Sequence, residues 1–129
     1  LVNIYMNEFD QFVKHNLKIK YYIRYADDFI ILDTNKNNLD RYTGILALHL
    51  KEKLKLELHP NKVFIKTLAS GVDFLGWVNF SHHRVLRTST KRRMFRKLKQ
   101  KQTREVIASY LGLLEHGNTY ELVKKLKRL

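Results

Sequence analysis

Leu1, Val2, Ile4, Tyr5, Met6, Phe9, Phe12 and Val13 recur at helical spacing, which predicts a helix from Leu1 to about His15. Its apolar residues occupy more than one face, so it should be largely buried in the parent fold. A polar connection, Lys14 to Lys20, leads to two β-branched and aromatic runs, Tyr21-Tyr22-Ile23-Arg24 and Phe29-Ile30-Ile31-Leu32. These read as hairpin strands over residues 21 to 32, with Ala-Asp-Asp as the tight turn. Asp33 to Asn38 is a turn-rich loop, and Asn37 with Asp40 three residues on marks a helix start. The helix predicted from about Leu39 to Lys53 carries Leu39, Tyr42, Ile45, Leu46, His49 and Leu50 on one face. Leu54, Leu56 and Leu58 then alternate with Lys55 and Glu57, the period of a half-exposed strand, which Pro60-Asn61 ends.

Val63 to Leu68 reads as another strand, Ala69-Ser70-Gly71 as a turn, and Val72 to Phe80 as a further strand. Ser81-His82-His83 turns the chain into Val85-Leu86. Thr88, Ser89 and Thr90 offer N-caps for a basic helix beginning near Lys91. Val106, Ile107, Tyr110, Leu111 and Leu114 share a helical face, which His116-Gly117 stops. Asn118 with Glu121 restarts a helix that ends near Leu129. The pattern is α+β: a mixed helix-and-sheet part over residues 1 to 87 and an all-helical part over 88 to 129.

Composition narrows this picture. A chain of 129 residues with 44% hydrophobic content, 1 Pro and 5 Gly is one domain or a piece of one, not a disordered tail. The lack of Cys excludes a disulfide framework and a thiolate zinc site, and fits a reducing compartment; a cytoplasmic location is the expectation. No apolar run reaches spanning length, so no membrane partner is expected. The chain opens at Leu1 directly into a helical pattern, as expected of a fragment of a longer polypeptide. Its net charge of +13 points to a polyanionic partner, of which nucleic acid is the commonest. The distribution is more telling than the sum. Arg84, Arg87, Lys91, Arg92, Arg93, Arg96, Lys97, Lys99, Lys101 and Arg104 fall in one stretch that contains no acid, whereas a solvated helix face usually mixes both signs.

The sharpest candidate chemistry is Tyr25-Ala26-Asp27-Asp28 at the hairpin tip. Adjacent carboxylates repel each other, and divalent cations relieve that repulsion. Hard oxygen ligands of this kind suit Mg²⁺, and the arrangement suggests one half of a two-metal site for phosphoryl transfer. The alternative for Asp27-Asp28 is a solvated turn. His82-His83 has no third ligand at metal-binding spacing, and His49 reads as a packed histidine.

Together these elements resemble the palm of bacterial retroelement reverse transcriptases: group II intron proteins, retron enzymes and diversity-generating retroelements. Asn3-Ile4-Tyr5-Met6-Asn7-Glu8-Phe9-Asp10 resembles the helix after the family's Pro-Gln-Gly motif, and residues 21 to 32 match its metal-binding hairpin. Leu58-His59-Pro60-Asn61-Lys62 resembles the next motif, which ends in lysine, and Phe74-Leu75-Gly76-Trp77 the primer-grip hairpin. The basic helices after Thr88 correspond to the start of the thumb. The resemblance implies a partial palm over 1 to 87, an antiparallel sheet with packed helices, followed by thumb-like helices over 88 to 129. Ser109-Tyr110-Leu111-Gly112 leading to His116-Gly117-Asn118 leans toward diversity-generating or related types.

The implied activity is RNA-directed DNA polymerisation with two Mg²⁺ ions, an RNA template, a DNA primer and deoxynucleoside triphosphates. Asp27 would be the more directly engaged metal ligand and Asp28 its support. Tyr25 would pack beneath the hairpin near the primer end, or is an ordinary strand aromatic; small Ala26 lets nucleic acid approach. Lys62 would stabilise the leaving pyrophosphate as cation or general acid, or is a solvated lysine. Phe74 and Leu75 are expected to be both core and grip, with Gly76 admitting close backbone approach and Trp77 as core or grip. Arg92, Arg93, Arg96, Lys97 and Lys99 would contact template–primer phosphates, while Met94, Phe95 and Leu98 hold the helix to its neighbours.

The family's further aspartate, its Pro-Gln-Gly motif and the fingers have no counterpart in this sequence; Glu8, Asp10, Asp33, Asp40 and Asp73 do not sit in that context. The chain alone is therefore expected to bind metal weakly and not to polymerise. Two other readings are a non-catalytic RNA-binding module, maturase-like or scaffolding, and a generic basic nucleic-acid-binding domain. Oligomeric state is not legible.

Overall fold

The computed structural model describes residues 1–129, an α+β chain of two compact units, Leu1–Ile65 and Lys66–Leu129. No helix is long and apolar enough to cross a membrane.

In the first unit, α1 (Val2–Tyr5), α2 (Asn7–Gln11) and a π-helical turn (Phe12–Asn16) follow one another. Met6, Phe9 and Val13 stack along the inner face and are buried, whereas Leu1, Val2, Ile4 and Tyr5 are exposed within this chain. β1 (Tyr21–Tyr25) and β2 (Asp28–Leu32) form an antiparallel hairpin in the register Tyr21↔Leu32 through Tyr25↔Asp28. The tip is therefore two residues, Ala26-Asp27, with Asp28 already in the ladder, one residue tighter than an Ala-Asp-Asp turn. α3 (Lys36–His49) starts earlier than its pattern predicts. Asn35, not Asn37, is the N-cap, its side chain accepting the Asn37 N–H at 2.9 Å.

α3 runs on into a second π-helical turn, Leu50–Leu54, so that Leu46, Leu50 and Leu54 are buried at one residue per turn. They pack with Met6, Phe9, Val13 and Ile19, flanked by Tyr22, Phe29 and Ile31 from the hairpin. The strand expected over Leu54–Leu58 does not form. Left-handed Lys55 ends the helical run and residues 55–59 have no regular structure; Leu54 and Leu58 both reach this core while Leu56 is exposed, so the three do not share the one face a strand would give them. Both π turns end in a left-handed lysine, Lys18 and Lys55, and bonds from Ile19 N–H to Val13 C=O (3.1 Å) and Leu56 N–H to Leu50 C=O (3.0 Å) close them. Glycine usually takes that position. The strand expected over 63 to 68 is absent too: Val63, Phe64 and Ile65 have strand propensity but join no ladder.

In the second unit, a one-turn 3₁₀ helix (Leu68–Ser70) leads to a meander of β3 (Val72–Phe74), β4 (Trp77–Asn79) and β5 (Arg84–Leu86). The single strand read over Val72–Phe80 is thus a hairpin turning at Leu75-Gly76, both with positive φ. Three helices follow: α4 (Thr88–Gln100), α5 (Arg104–Leu114) and α6 (Tyr120–Lys127). Thr103 caps α5 through its side chain, accepting the Val106 N–H at 3.4 Å. α4 begins earlier than predicted, with Arg87 as N-cap and no cap bond from Thr88, Ser89 or Thr90. α6 is likewise preceded by Thr119 rather than Asn118. The buried Thr119 hydroxyl instead donates to the Leu114 carbonyl at 2.5 Å, tying the turn to α5.

Trp77, Leu86, Met94, Leu98, Leu114 and Leu126 form this unit's core. Gly117 allows it: a Cβ there would stand 2.2 Å from Trp77 Cζ3. Arg84 lies over the indole, its guanidinium carbon 5.2 Å from the ring centroid, and its Nε donates to the His116 carbonyl.

Candidate active-site hairpin and basic helix

Alternation along β1 and β2 fixes which way each hairpin side chain faces. Directly opposed residues share a face, so Tyr21/Leu32, Ile23/Ile30 and Tyr25/Asp28 point one way and Tyr22/Ile31 and Arg24/Phe29 the other. The second set meets the core, with Phe29 and Tyr22 rings 5.0 and 6.2 Å from Phe9. The first set is the open face, where Tyr25 is 64% exposed. Tyr25 therefore does not pack beneath the hairpin within this chain; the period that buries Tyr22 turns it outward beside Asp28.

At the tip, Ala26 is left-handed (φ 52°), a conformation uncommon for a residue with a Cβ. Asp27 and Asp28 are both exposed, and neither carboxylate is hydrogen-bonded or ion-paired within the chain. These two free carboxylates, neighbours in sequence on a tight turn, are hard-oxygen donors of the kind divalent cations take. They do not complete a cage, since no three His, Cys, Asp or Glu side chains converge anywhere in the chain.

Behind the tip lies a network that sequence reasoning passed over. Arg24 grips Asp10 as a fork, Nε to Oδ1 and Nη2 to Oδ2, both at 2.8 Å. Its Nη1 donates to the Asn3 side chain at 3.2 Å and to the Ala26 carbonyl. Tyr22 adds its hydroxyl to Asp10 Oδ1 at 2.6 Å. The Arg24 bond, against the opposing effect of burial, holds the Asp10 carboxyl below the ordinary range. Burial, then Asp10, pushes the Tyr22 phenol upward. The signal was present: Arg24 sits two residues after Tyr22, on the inner face of a strand, where a cation requires a counter-ion.

Lys62 ends a 3₁₀ turn, Pro60–Lys62, whose preceding His59 accepts the Asn61 N–H on Nδ1 at 3.3 Å. Its side chain is exposed, and no ion pair joins it to Asp27 or Asp28. His49 stacks on Phe12 with ring centroids 3.8 Å apart, its Nε2 buried without a partner. That burial lowers its pKa.

In the second unit, Leu75 at the hairpin turn is 51% exposed and Phe74 half-buried, so Leu75 is not core; Trp77, at 5%, is. The turn is braced from behind. Arg87 donates its N–H to the Gly76 carbonyl at 2.9 Å and its Nε to Asp73 at 2.6 Å. This unit holds 15 Lys or Arg against 4 Asp or Glu, a net +11; the first holds 10 against 8, a net +2. Met94 and Leu98 bury one side of α4, with Phe95 packed against that core. Lys91, Arg92, Arg96 and Lys99 line an open groove with Thr88 and Phe95. Arg93 and Lys97 are exposed on the adjoining flank, outside that groove.

No curated protein sequence matches the chain significantly. A family model described as reverse transcriptase (RNA-dependent DNA polymerase) matches residues 1–79, more than half of the chain, taking in the carboxylate-tipped hairpin, the Lys62 turn and the Leu75-Gly76 turn. On that match the chain belongs to the reverse transcriptase family.

Proposed function

We propose that this chain is the later palm and the first thumb helices of an RNA-directed DNA polymerase of bacterial retroelement type, with palm over 1 to 87 and thumb over 88 to 129. The observation that carries the reading is the hairpin tip, where Asp27 and Asp28 stand exposed and unpaired inside the segment that matches the family. Asp27 and Asp28 would hold Mg²⁺. Bound Mg²⁺ would supply Lewis-acid stabilisation of developing oxygen charge, suited to attack of a primer 3′-hydroxyl on a deoxynucleotide α-phosphate with pyrophosphate leaving.

Other residues of the chain would support that chemistry without completing it. Tyr25, outward beside Asp28, offers a ring for the primer end, and Lys62 an exposed cation for the leaving pyrophosphate. The backbone of Phe74, Leu75 and Gly76 supports the primer, and Trp77 anchors that turn in the core. On α4, Arg92, Arg96 and Lys99, joined by Lys91, track phosphates of the template–primer duplex, with Arg93 and Lys97 on the adjoining flank. Two carboxylates make an incomplete two-ion site, so the isolated chain is expected not to polymerise.

The test is single-nucleotide extension of a DNA primer on an RNA template by the full-length protein, with and without Mg²⁺. Extension that requires Mg²⁺ supports the reading. A folded protein that binds RNA and never extends a primer would point to a non-catalytic RNA-binding module.

A further inference from the structure

The Asp10–Arg24 pair raises a question about the tip it adjoins. Arg24 lies three and four residues from Asp27 and Asp28, close enough in sequence to neutralise them, and it does not. The strand register turns it to the opposite face from Asp28, where Asp10 from α2 takes both Nε and Nη2. One carboxylate thus cancels the cation, and the tip keeps its negative charge. The remaining nitrogen, Nη1, reaches the carbonyl of Ala26, the left-handed residue that makes the two-residue turn possible. A turn of this kind at alanine is held only when its surroundings over-determine it.

We propose that Arg24, anchored by Asp10, is a positioning residue for the reaction, holding the Ala26 carbonyl and with it the turn that presents Asp27 and Asp28. This rests on the reading of the tip as a metal-binding site. The task needs arginine. Two nitrogens grip Asp10 while a third, in the same plane, serves Asn3 and Ala26, whereas a lysine ammonium is a point charge on a flexible stem. Tyr22 supports the arrangement indirectly, filling the second lone pair of Asp10 Oδ1.

The experiment compares Arg24→Lys, Asp10→Asn and Asp10→Glu with the unaltered full-length protein. Two readings are taken, Mn²⁺ binding followed by electron paramagnetic resonance and single-turnover primer extension. Assays run well below each variant's melting temperature. Outer-shell partners of metal ligands commonly cost 10- to 100-fold in affinity, so Arg24→Lys and Asp10→Asn should each weaken Mn²⁺ about tenfold. The extension rate should fall by about tenfold or more, with the nucleotide KM changing much less. Asp10→Glu, which keeps the carboxylate fork, should restore most of both.

Unchanged Mn²⁺ affinity and extension rate in folded Arg24→Lys and Asp10→Asn would overturn the proposal. So would an Asp10→Glu variant as impaired as Asp10→Asn, because the fork would then not be what matters. Asp27→Asn separates the two levels. If it leaves Mn²⁺ binding and extension intact, the metal-site reading fails and takes the positioning role with it. If it abolishes both while Arg24→Lys changes neither, only the positioning role fails.

Discussion

Removing charge from the groove face of α4 should change nucleic-acid affinity by an amount the helix geometry sets. Lys91, Arg92, Arg96 and Lys99 line one groove and are all exposed. From Lys91 to Lys99 is about 12 Å along the axis at roughly 1.5 Å per residue, enough to meet several phosphates of one strand. If all four are engaged, they contribute about −3.6 to the slope of log affinity against log salt, at about −0.9 per phosphate for duplex DNA. From 50 to 200 mM salt that share alone weakens binding about 150-fold. Arg92→Gln with Arg96→Gln should therefore cut the slope by about 1.8, leaving a fall of about 12-fold from this helix. Arg93→Gln with Lys97→Gln removes the same charge about 100° further round the helix and should change the slope less. The assay is fluorescence anisotropy with a labelled template–primer duplex over that salt range. An equal effect of both pairs would refute a directed groove and leave only diffuse charge. No effect of either would remove α4 from the interface altogether.

Two other expectations concern stability. His49 has its pKa lowered by burial, so the unfolded chain binds the proton more readily, and stability should fall as pH drops below about 6.5, by at most about 1.4 kcal/mol per pH unit. Urea melts between pH 7.5 and 5 should show this, and His49→Leu should flatten the curve by up to one proton; an unaltered curve would contradict it. Gly117→Ala drives a methyl into the buried indole of Trp77, and overpacking of this kind costs about 1–3 kcal/mol. Trp77 is the chain's single tryptophan, so its emission should shift red as the melting temperature falls; an unchanged melt would mean the turn relaxes freely.

The hairpin was legible because two β-branched and aromatic runs flank a short polar turn, and the pairing Tyr21↔Leu32 to Tyr25↔Asp28 follows from that spacing. The core faces of the helices were legible for the same kind of reason: Met94 with Leu98, and Leu46 with Leu50, recur one turn apart. What misled was alternation without a ladder. Leu54, Leu56 and Leu58 imitate a strand, yet the first ends a π turn and the last packs beside it. Val63–Ile65 has strand propensity, but a strand exists only through a neighbour's hydrogen bonds, which local sequence does not specify. Helix starts moved for a related reason. At α4 the turn is set by Arg87 reaching back to Gly76 and Asp73, so the hydroxyls of Thr88, Ser89 and Thr90 were not needed as caps.

The candidate site divides the same way. Asp27 and Asp28 were visible as a motif, while Asp10, set aside for want of sequence context, joins the network behind them only once α2 packs on β1. Leu75, read as core, sits on the outside of a tight turn, and Trp77 two residues on fills the core in its place.

The central claim is most directly tested by primer extension at saturating RNA template and DNA primer, comparing the full-length protein with its Asp27→Asn form. Loss of Mg²⁺-dependent extension with template–primer binding retained is the predicted result. An Asp27→Asn protein that extends primers at the unaltered rate would contradict the assignment of the hairpin as the catalytic centre.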